Sequence, residues 1–312
     1  MQLTEICVIG GSGFVGRHLC QQLAGRGYRL RVPTRNREHA KALILLPTID
    51  VMVADVHDPA ALAAAIRGCD AVINLVGVLH DGRGTRGFGA AHVELARQVV
   101  KACRDTGVRR LLHMSALGAA SDAPSNYLRS KGEAERLALD SGLDVTVFRP
   151  SVIFGPEDNF LNLFAGLLRM FPVLPLAGHR ARFQPVYVGD VAAAFLRALT
   201  DRATFGGRYD LCGPKRYSLR ELVTWVGAAT GCRRPVIGLG RTLSLLQAAT
   251  MELLPVKLMT RDNLRSMRVD SVCDCAFPFG IKPQALEAVA PDWLAQRVPR
   301  ARYQRFRNAA GR

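Results

Sequence analysis

Short apolar runs rich in β-branched residues alternate with longer amphipathic stretches over the first half of the chain. The apolar runs predict six strands, at residues 6–9, 29–33, 50–54, 71–76, 110–114 and 145–148. The stretches between them have helical periodicity and predict helices that include residues 17–24, 38–46, 90–105 and 125–141. This alternation is typical of a parallel sheet with right-handed crossovers, buried on both faces. We therefore predict an α/β fold with a doubly wound parallel sheet over residues 1–150.

The pattern is less regular beyond residue 150, where prolines interrupt the chain repeatedly. Helix-like runs at 161–170, 191–200, 219–230 and 243–254 are mixed with strand-like segments at 183–188 and 236–238. We expect residues 151–312 to form a smaller mixed α/β lobe, interleaved with the sheet domain. Open α/β folds bind their ligands at the carboxyl edge of the sheet, so this part is the expected substrate lobe.

A glycine-rich turn joins the first predicted strand to the first predicted helix. It follows the apolar run 6–9 and comprises Gly10, Gly11, Ser12, Gly13, Phe14, Val15 and Gly16. Glycine lacks a Cβ, so the strand can turn sharply into the helix and a pyrophosphate can approach the backbone. The helix then presents unpaired N–H groups and the positive end of its dipole to the phosphates. This strand–turn–helix context predicts a Rossmann fold that binds a dinucleotide.

The residues after the second strand indicate which dinucleotide is bound. An NAD site usually has Asp or Glu about 20 residues after the glycines, where it binds the ribose 2′-hydroxyl. No acidic residue occurs between Gly16 and Glu38, whereas Arg35 and Arg37 follow the second strand. Arginine can bind a 2′-phosphate through a charge-assisted fork. We expect NADP(H) in preference to NAD(H); the alternative is that both arginines are solvated loop charges.

Candidate catalytic groups follow the fifth strand. Ser115 lies directly after it, and Tyr127 and Lys131 lie four residues apart on one face of the next helix. A lysine ammonium and the cationic nicotinamide of an oxidised cofactor lower the pKa of a nearby phenol, which is ordinarily about 10. Tyr127 can then exchange a proton with a carbonyl or alcohol oxygen while hydride moves to or from the nicotinamide. We expect Ser115 to orient the same oxygen.

The composition is that of a globular protein, with 49% hydrophobic and 22% charged residues among 312. No window approaches about 18 uninterrupted apolar residues, and the sequence enters its first strand without a signal-peptide pattern. Eight cysteines are scattered without metal-binding spacing, which favours reduced thiols and no metal site. We therefore expect a cytoplasmic location.

The net charge of +16 comes mainly from arginine, which supplies 36 of the 42 basic residues. Part of the charge is concentrated in the tail, residues 297–312, at Arg297, Arg300, Arg302, Arg305, Arg307 and Arg312. This basic tail either contacts anionic lipid at the inner face of a membrane or an acidic protein, or is a solvated terminus. No nucleic-acid recognition motif occurs, which argues against a nucleic-acid partner.

Taken together, these motifs resemble the short-chain dehydrogenase/reductase superfamily, of the extended or atypical type, over nearly the whole chain. Besides the glycine turn and the Ser115, Tyr127 and Lys131 set, the matching runs are Asp55-Val56, Asn74-Leu75-Val76-Gly77 and Arg149-Pro150-Ser151-Val152-Ile153-Phe154-Gly155. The resemblance implies that the adenine is bordered by Asp55 and Val56, and that the ribose side is lined by Val76 and Gly77. It also implies that Lys131 hydrogen-bonds the nicotinamide ribose, and that the nicotinamide is flanked by Pro150, Ser151, Val152 and Ile153.

Within the superfamily, the chain is most similar to the group typified by the nucleotide-binding accessory subunit of respiratory complex I and its bacterial relatives. The runs that carry this likeness are residues 127–131, 154–160 with Asn162, and 183–192. The likeness implies NADP(H) binding, often without demonstrated turnover, and for some relatives a link to ubiquinone synthesis or respiratory assembly. The chain departs from extended members in a short interval between Ser115 and Tyr127 and in a polar segment, residues 80–84.

Three functions are compatible with these residues. The first is an NADP(H)-dependent oxidoreductase with Tyr127 as acid and base, acting on an unidentified small molecule for which a quinone-related compound is one candidate. The second is a non-catalytic NADP(H)-binding structural or assembly protein of the respiratory chain, docked through the basic tail. The third is a nucleotide-sugar epimerase or dehydratase with the same residues. The sequence leaves the oligomeric state open. It also leaves five residues open between lining a substrate cleft and structural roles such as helix capping or core packing: Asp158, Asn159, Asn162, Gln184 and Tyr187.

Overall fold

The computed structural model describes residues 3–79, 81–82, 84–253 and 258–295. Its strands are β1 (Glu5–Ile9), β2 (Arg29–Thr34), β3 (Ile49–Val53), β4 (Ala71–Asn74), β5 (Arg110–Met114), β6 (Asp144–Pro150), β7 (Ile153–Phe154), β8 (Leu174–Leu176), β9 (Arg182–Phe183), β10 (Val186–Tyr187), β11 (Arg208–Leu211), β12 (Tyr217–Ser218) and β13 (Val236–Gly238). Its α-helices are α1 (Phe14–Ala24), α2 (Lys41–Ile44), α3 (Pro59–Ile66), α4 (Leu95–Thr106), α5 (Asn126–Leu139), α6 (Leu161–Met170), α7 (Val188–Ala198), α8 (Leu219–Ala229), α9 (Arg241–Glu252), α10 (Arg261–Ser266), α11 (Leu286–Val289) and α12 (Pro291–Leu294).

The chain divides into two units. The first consists of residues up to Pro150 together with Val188–Leu211 and Cys275–Ile281. The second consists of Ser151–Tyr187, Cys212–Asp274 and the residues from Lys282 onward. The unit that contains the large sheet therefore includes two segments from the second half of the sequence.

Seven parallel strands form the sheet of the first unit, in the order β11-β6-β5-β4-β1-β2-β3. This sheet confirms the prediction of a doubly wound parallel fold. The order reverses between β1 and β4, and ligands of open α/β sheets bind at the carboxyl ends of the strands next to such a reversal. The sequence pattern predicted six of these strands, and β11 is the addition.

Helices cover both faces of this sheet. α1 packs beside α7 on one face, where Gln22 Nε2 donates to Gly189 O at 3.1 Å, while α3, α4 and α5 pack together. Asp58 caps α3, since its side chain accepts the Ala60 N–H at 3.0 Å and Pro59 is the first helical residue. A π-helical turn, Gly89–Glu94, leads directly into α4.

A buried arginine explains why the segment after α7 belongs to the first unit. Arg110, on β5, is only 4% exposed. Its Nε donates to Leu199 O at 3.1 Å, and its Nη2 donates to Ala198 O at 2.6 Å and to Thr146 Oγ1 at 2.9 Å. Because a buried guanidinium must satisfy its donors, these bonds fix the end of α7 to β5 and β6.

The second unit is built from helices and three two-stranded ladders, which pair β7 with β10, β9 with β12, and β8 with β13. Its core joins α6 and α8 through Leu161, Leu168, Leu222 and Val226. The strand predicted at 183–188 is divided into β9 and β10, because Pro185 lies between them and has no N–H to donate to a ladder.

Among the described residues, no helix is long and apolar enough to cross a membrane. The same residues contain no group of three or more side chains that could hold a metal ion. All eight cysteines are free thiols, and five of them are buried. The basic tail and the residues His80 and Arg83 of the polar segment lie outside the described residues.

Candidate cofactor and active site

The glycine turn after β1 is a close-packed backbone structure. Gly10 has a φ of +81°, which favours glycine. A Cβ added to Gly11 would lie 2.9 Å from Val32 Cγ1, on the neighbouring strand. A Cβ added to Gly16 would overlap the Gly10 carbonyl oxygen and lie 2.5 Å from Gly11 Cα. The first turn of α1 can therefore pack against the strand end only because these positions lack side chains.

The first turn of α1 has no capping side chain. Gly13 is the N-cap residue, and the turn contains no acidic side chain. Because the first amides of a helix lack intrahelical acceptors, this turn offers N–H donors and a positive dipole end to an anion. Arg17 adds a cation nearby, with Nη1 donating to Ser12 O at 2.8 Å. The turn is thus suited to a pyrophosphate.

The loop after β2 carries the two arginines expected to select NADP(H). Arg35 and Arg37 are exposed, and neither side chain makes a hydrogen bond or ion pair with another described residue. Hydrogen bonds join this loop to the glycine turn: Ser12 Oγ donates to Thr34 Oγ1 at 3.4 Å, and Thr34 Oγ1 donates to Asn36 O at 3.0 Å. The arrangement leaves both guanidinium groups available to a ligand that is bound at the turn.

The residues expected to border the adenine and ribose follow the adjoining strands. Asp55 and Val56 come directly after β3; the Asp55 carboxylate accepts the His57 N–H at 3.0 Å, and Val56 packs on the core. Val76 and Gly77 come after β4, which pairs with β1. Because the carboxyl ends of parallel strands share one edge, the structure brings these residues to the edge that holds the glycine turn.

Lys131 connects α5 to that edge. Its Nζ donates to Val76 O and to Met114 O, both at 3.1 Å, and a Cβ on Gly77 would lie 3.0 Å from Nζ. The side chain is 2% exposed, and burial lowers its pKa from 10.5 to about 8. Lys131 thus remains mainly cationic at pH 7 and lies where the expected ribose side of the cofactor and the end of β5 meet.

Tyr127 lies one helical turn before Lys131, against two aromatic rings. Its ring centroid is 5.8 Å from that of Phe88 and 5.7 Å from that of His92, both edge-on. Burial raises the pKa of Tyr127 to about 12. From the sequence, we expected the Lys131 ammonium group to lower this pKa. In the chain by itself, the desolvation of the phenolate dominates, so Tyr127 is a neutral phenol at pH 7.

Ser115 lies at the end of β5 and is 3% exposed. Its N–H donates to Phe148 O at 2.7 Å, which holds it against β6. Its buried hydroxyl oxygen has no hydrogen-bond partner among the described residues. Glu135 was not singled out from the sequence, although the four-residue spacing of Tyr127, Lys131 and Glu135 would have placed all three on one face of α5.

Glu135 is the centre of a buried ionic cluster. Its side chain is 3% exposed and accepts Arg149 Nε at 2.9 Å and Arg208 Nε at 2.7 Å. Burial by itself would raise the pKa of this carboxyl group, but the hydrogen bonds from the two arginines and the charge of Arg149 hold the pKa below its usual value. The cluster ties α5 to β6 and β11 and thereby fixes the helix that carries Tyr127 and Lys131.

His92 is a second residue that the sequence did not reveal. It lies in the π-helical turn, a feature common at functional sites, and is 2% exposed. Ser130 Oγ donates to Tyr127 O at 2.8 Å and lies 2.8 Å from His92 Nδ1, while His92 Nε2 accepts the Val78 N–H at 3.0 Å. These partners require a neutral ring protonated on Nδ1, and burial lowers its pKa to about 2. His92 joins the loop after β4 to α5 at Tyr127.

A cavity of about 560 Å³ adjoins the outer side of α5. Its lining includes Phe88 and Ser130, which contact Tyr127, and the charged side chains of Asp81, Arg129, Glu133 and Arg136. The cavity lies entirely within the first unit, and seven of its eleven lining residues are polar or charged.

Pro150 is the last residue of β6, and its carbonyl accepts the Leu117 N–H at 3.0 Å. Ser151, Val152 and Ile153, the other residues expected beside the nicotinamide, belong to the second unit. There Ser151 Oγ donates to Ser271 O at 2.7 Å, and the N–H of Val186 donates to Val152 O at 3.0 Å. In that unit these residues anchor the chain as it leaves the sheet.

Two residues left open by the sequence have structural partners. Asp158 is 3% exposed and accepts the N–H groups of Gly155 at 3.1 Å and Phe160 at 2.7 Å, so it caps the start of α6. Gln184 Nε2 donates to Gly213 O at 2.7 Å, and Gln184 Oε1 accepts the Cys273 N–H at 3.0 Å. Both side chains hold loops of the second unit together.

Comparison with known proteins shows a likeness to NAD(P)H-binding proteins. A family model described as NAD(P)H-binding matches residues 10–159. The chain is 36% identical over 221 residues to the mitochondrial NADH dehydrogenase [ubiquinone] 1 alpha subcomplex subunit 9 of Arabidopsis thaliana, covering 69% of this chain and 55% of the relative. It is 32% identical over 189 residues to the ceramide reductase of Caulobacter vibrioides, covering 60% and 58%. The chain thus spans less than two thirds of the length of either relative.

Among solved structures, the chain is similar to an Escherichia coli NADPH-dependent quinone oxidoreductase complexed with NADPH. The TM-score is 0.73 at 22% identity, with 91% of this chain and 98% of the other covered. At this identity the likeness concerns the fold, and it extends over both units of the chain.

Proposed function

We propose that the chain is an NADP(H)-dependent oxidoreductase that reduces a carbonyl compound, in keeping with the NAD(P)H-binding family model that matches residues 10–159. The observation that carries the proposal is the position of Lys131. Its ammonium group is fixed between the ends of β4 and β5, one helical turn from the Tyr127 phenol. When bound, the nicotinamide would supply the hydride.

Tyr127 is the proposed proton donor. A phenol whose pKa is about 12 holds its proton at pH 7 and can give it to the oxygen of a carbonyl as the carbon receives hydride. The product is an alcohol, and the phenolate that remains is stabilised by the Lys131 cation until a proton returns from solvent. Ser115 would hydrogen-bond the same oxygen, and Glu135 and His92 are positioning residues that hold α5.

The preference for NADP(H) rests on Arg35 and Arg37. Both are exposed and their side chains make no hydrogen bond or ion pair with another described residue, and the loop that carries them is bonded to the glycine turn through Ser12, Thr34 and Asn36. A 2′-phosphate would gain charge-assisted hydrogen bonds there without breaking an existing pair. In this proposal the pyrophosphate is bound by the first turn of α1, from Gly10 to Gly16, and Asp55, Val56, Val76 and Gly77 complete the cofactor site on the sheet edge. Pro150, Ser151, Val152 and Ile153 flank the nicotinamide.

The substrate class follows from the chemistry and from the names of similar proteins. A proton donor beside a hydride site serves any ketone, aldehyde or quinone that reaches it. The Caulobacter relative is a ceramide reductase, and the similar E. coli structure is that of a quinone oxidoreductase. We therefore propose a carbonyl compound or quinone with a lipid-like chain.

A second candidate is an NADP(H)-binding structural component of a respiratory complex. It is favoured by the similarity to the Arabidopsis relative, a subunit of NADH dehydrogenase. The raised pKa of Tyr127 and the two carbonyl oxygens that hold Lys131 also suit a chain in which the cofactor stabilises the fold. In this second candidate function, the basic tail would contact the inner face of a membrane or a protein of the respiratory complex.

The two candidates differ in the fate of bound cofactor. Mass spectrometry of nucleotide released from purified protein would identify it, and NADPH fluorescence would then be followed during challenge with quinones and lipid-like ketones. We expect oxidation to fall more than about a hundredfold in Tyr127→Phe, the loss typical of removing a general acid. NADPH affinity should stay within about twofold.

Tyr28→Phe, in the turn before β2, is the matched control and should oxidise NADPH at the native rate. Equal rates in Tyr127→Phe and the control would reject Tyr127 as the proton donor. Stoichiometric NADPH that no compound oxidises would instead favour the structural component.

A further inference from the structure

The second unit carries an unusual share of exposed apolar side chains. Among the described residues, 13 large hydrophobic side chains are exposed, and nine of them lie in this unit. Eight of the nine fall in two short segments, residues 170–173 and 237–253. Exposed apolar residues scattered singly need no explanation, whereas a cluster indicates a surface that contacts something apolar.

The ladder of β8 and β13 brings the two segments together. Pro175 on β8 pairs with Ile237 on β13, and the N–H of Leu174 donates to Pro235 O at 3.0 Å. α9 lies on the same ladder, because Gln247 Nε2 donates to Pro175 O at 3.0 Å. We define the α9 surface by its six largest contributors, Met170, Phe171, Ile237, Leu243, Leu246 and Leu253.

α9 itself is apolar on the side that faces water. Leu243 and Leu246 lie one turn apart and are 56% and 61% exposed, and Leu253, further along the same stripe, is 86% exposed. The buried side of α9 is narrow and is formed by Ser244 and Ala248. A surface helix normally presents polar residues to solvent. An apolar outer face such as this one is typical of a helix that contacts another apolar surface.

The charge around the α9 surface has one sign. Residues 161–180 and 231–253 together contain five arginines and a single carboxylate, Glu252. That carboxylate is already paired, since Arg261 Nε lies 2.8 Å from Glu252 Oε2. Arg233 and Arg241 are exposed at the two ends of the segment that contains β13. An apolar stripe bordered by arginines is complementary to anionic headgroups above acyl chains.

We propose that the α9 surface binds the surface of an anionic lipid bilayer. α9 lies in the plane of the interface, with Leu243, Leu246 and Leu253 among the acyl chains and Arg233 and Arg241 at the lipid phosphates. This inference goes beyond the proposed function, because it requires neither turnover nor a particular cofactor. It also places membrane contact within the described part of the chain, independently of the basic tail.

The test is flotation of the full chain with vesicles made of an equal mixture of phosphatidylglycerol and phosphatidylcholine. We expect Leu243→Ser with Leu246→Ser to weaken binding at least about tenfold, since two leucines lose their burial in lipid. Arg233→Gln and Arg241→Gln should each weaken it about fivefold and reduce its salt dependence. Vesicles of phosphatidylcholine alone should bind weakly.

Leu45→Ser is the matched control, because Leu45 is 83% exposed but lies in the first unit. It should leave flotation unchanged, and NADPH binding by every variant reports that the chain is folded. Native flotation by the double leucine variant would overturn the proposal, as would loss of binding only on truncation after Pro299. Dissociation of a dimer by the leucine variant, without any effect on vesicles, would also overturn it and assign the surface to a second copy of the chain.

Discussion

The loop after β2 and the middle of α5 both belong to the candidate site, but their charged side chains differ in exposure and in hydrogen bonding. Arg35 and Arg37 are exposed, and their side chains make no hydrogen bond or ion pair with another described residue. Lys131 and Glu135 are each 2% exposed and are bonded to carbonyl oxygens or arginines of the chain itself. The loop can therefore accept a ligand charge at little cost, whereas α5 is already organised around its own contacts. Selection of the cofactor is thus proposed for an exposed loop, and catalysis for a buried helix with its own internal contacts. Four substitutions test this difference.

We expect Gly16→Ala to have the greatest effect. The added Cβ would overlap the Gly10 carbonyl oxygen, and both atoms belong to backbone that cannot rotate away. Overpacking of this kind should cost about 3 kcal/mol or more of unfolding free energy and abolish NADPH binding. Urea unfolding and fluorescence titration measure the two losses.

The control for Gly16→Ala is Gly166→Ala, an exposed position within α6 where a Cβ meets nothing within 4 Å. Removal of a helical glycine should raise stability there by up to about 1 kcal/mol. A mild effect at Gly16 would mean that α1 does not rely on close approach to the turn.

Glu135→Gln should have the next largest effect, on stability rather than on cofactor affinity. It leaves Arg149 and Arg208 without a buried countercharge, but their side chains are 27% and 50% exposed and reach water. We expect a loss of about 2–3 kcal/mol of unfolding free energy, below the range for a fully buried pair. Glu133→Gln, two residues earlier at an exposed position, should change the unfolding free energy little. Equal effects of the two substitutions would contradict a special role for the cluster.

Arg35→Ala should change affinity without changing stability. Loss of a charged hydrogen bond to the 2′-phosphate should weaken NADPH by about 1–3 kcal/mol and leave NADH nearly unchanged. Titration of both cofactors measures the ratio, and added salt should reduce it because the arginine is exposed. Arg29→Ala, at the opposite end of β2, should leave both affinities unchanged. Equal losses of NADPH and NADH in Arg35→Ala would reject the 2′-phosphate assignment.

The two buried histidines should make the free energy of unfolding depend on pH, and we expect this effect to be smaller than those above. Burial lowers the pKa of His92 to about 2 and that of His113 to about 3, whereas an unfolded histidine titrates near 6.5. The unfolded chain therefore binds protons below pH 6.5 that the folded chain does not, so stability falls as pH falls from 6.5 towards 3. His92→Gln should remove about 1 kcal/mol of this loss between pH 7 and 5.5.

Urea unfolding at several pH values measures this dependence. The exposed His39, changed to Gln, should leave the pH profile unaltered. An unchanged profile in His92→Gln would show that the pKa of His92 is the same in the folded and unfolded chains. The bonds from Val78 and to Ser130 would then need another explanation.

Local sequence was enough to predict much of the first unit. β5 begins and ends at the predicted residues, 110–114, and Asp58 caps α3, because burial periodicity and capping depend on neighbours within a few positions. The glycine turn was predictable for the same reason, since its geometry depends on adjacent backbone. In contrast, the strand predicted at 183–188 is divided at Pro185, and local sequence did not reveal the partners of its two parts, since β9 pairs with β12 and β10 with β7.

The sequence by itself determined the parallel sheet, the glycine turn and the placement of Tyr127 and Lys131 on one helix face. Each of these follows from spacing along one or two elements. The tertiary structure decided the rest: β11 joins the sheet from residues 208–211, Glu135 gains its arginines from β6 and β11, and His92 contacts α5. It also raised rather than lowered the pKa of Tyr127, because desolvation depends on every residue packed around the phenol. Burial and partners are set by the whole fold, so no local pattern could reveal them.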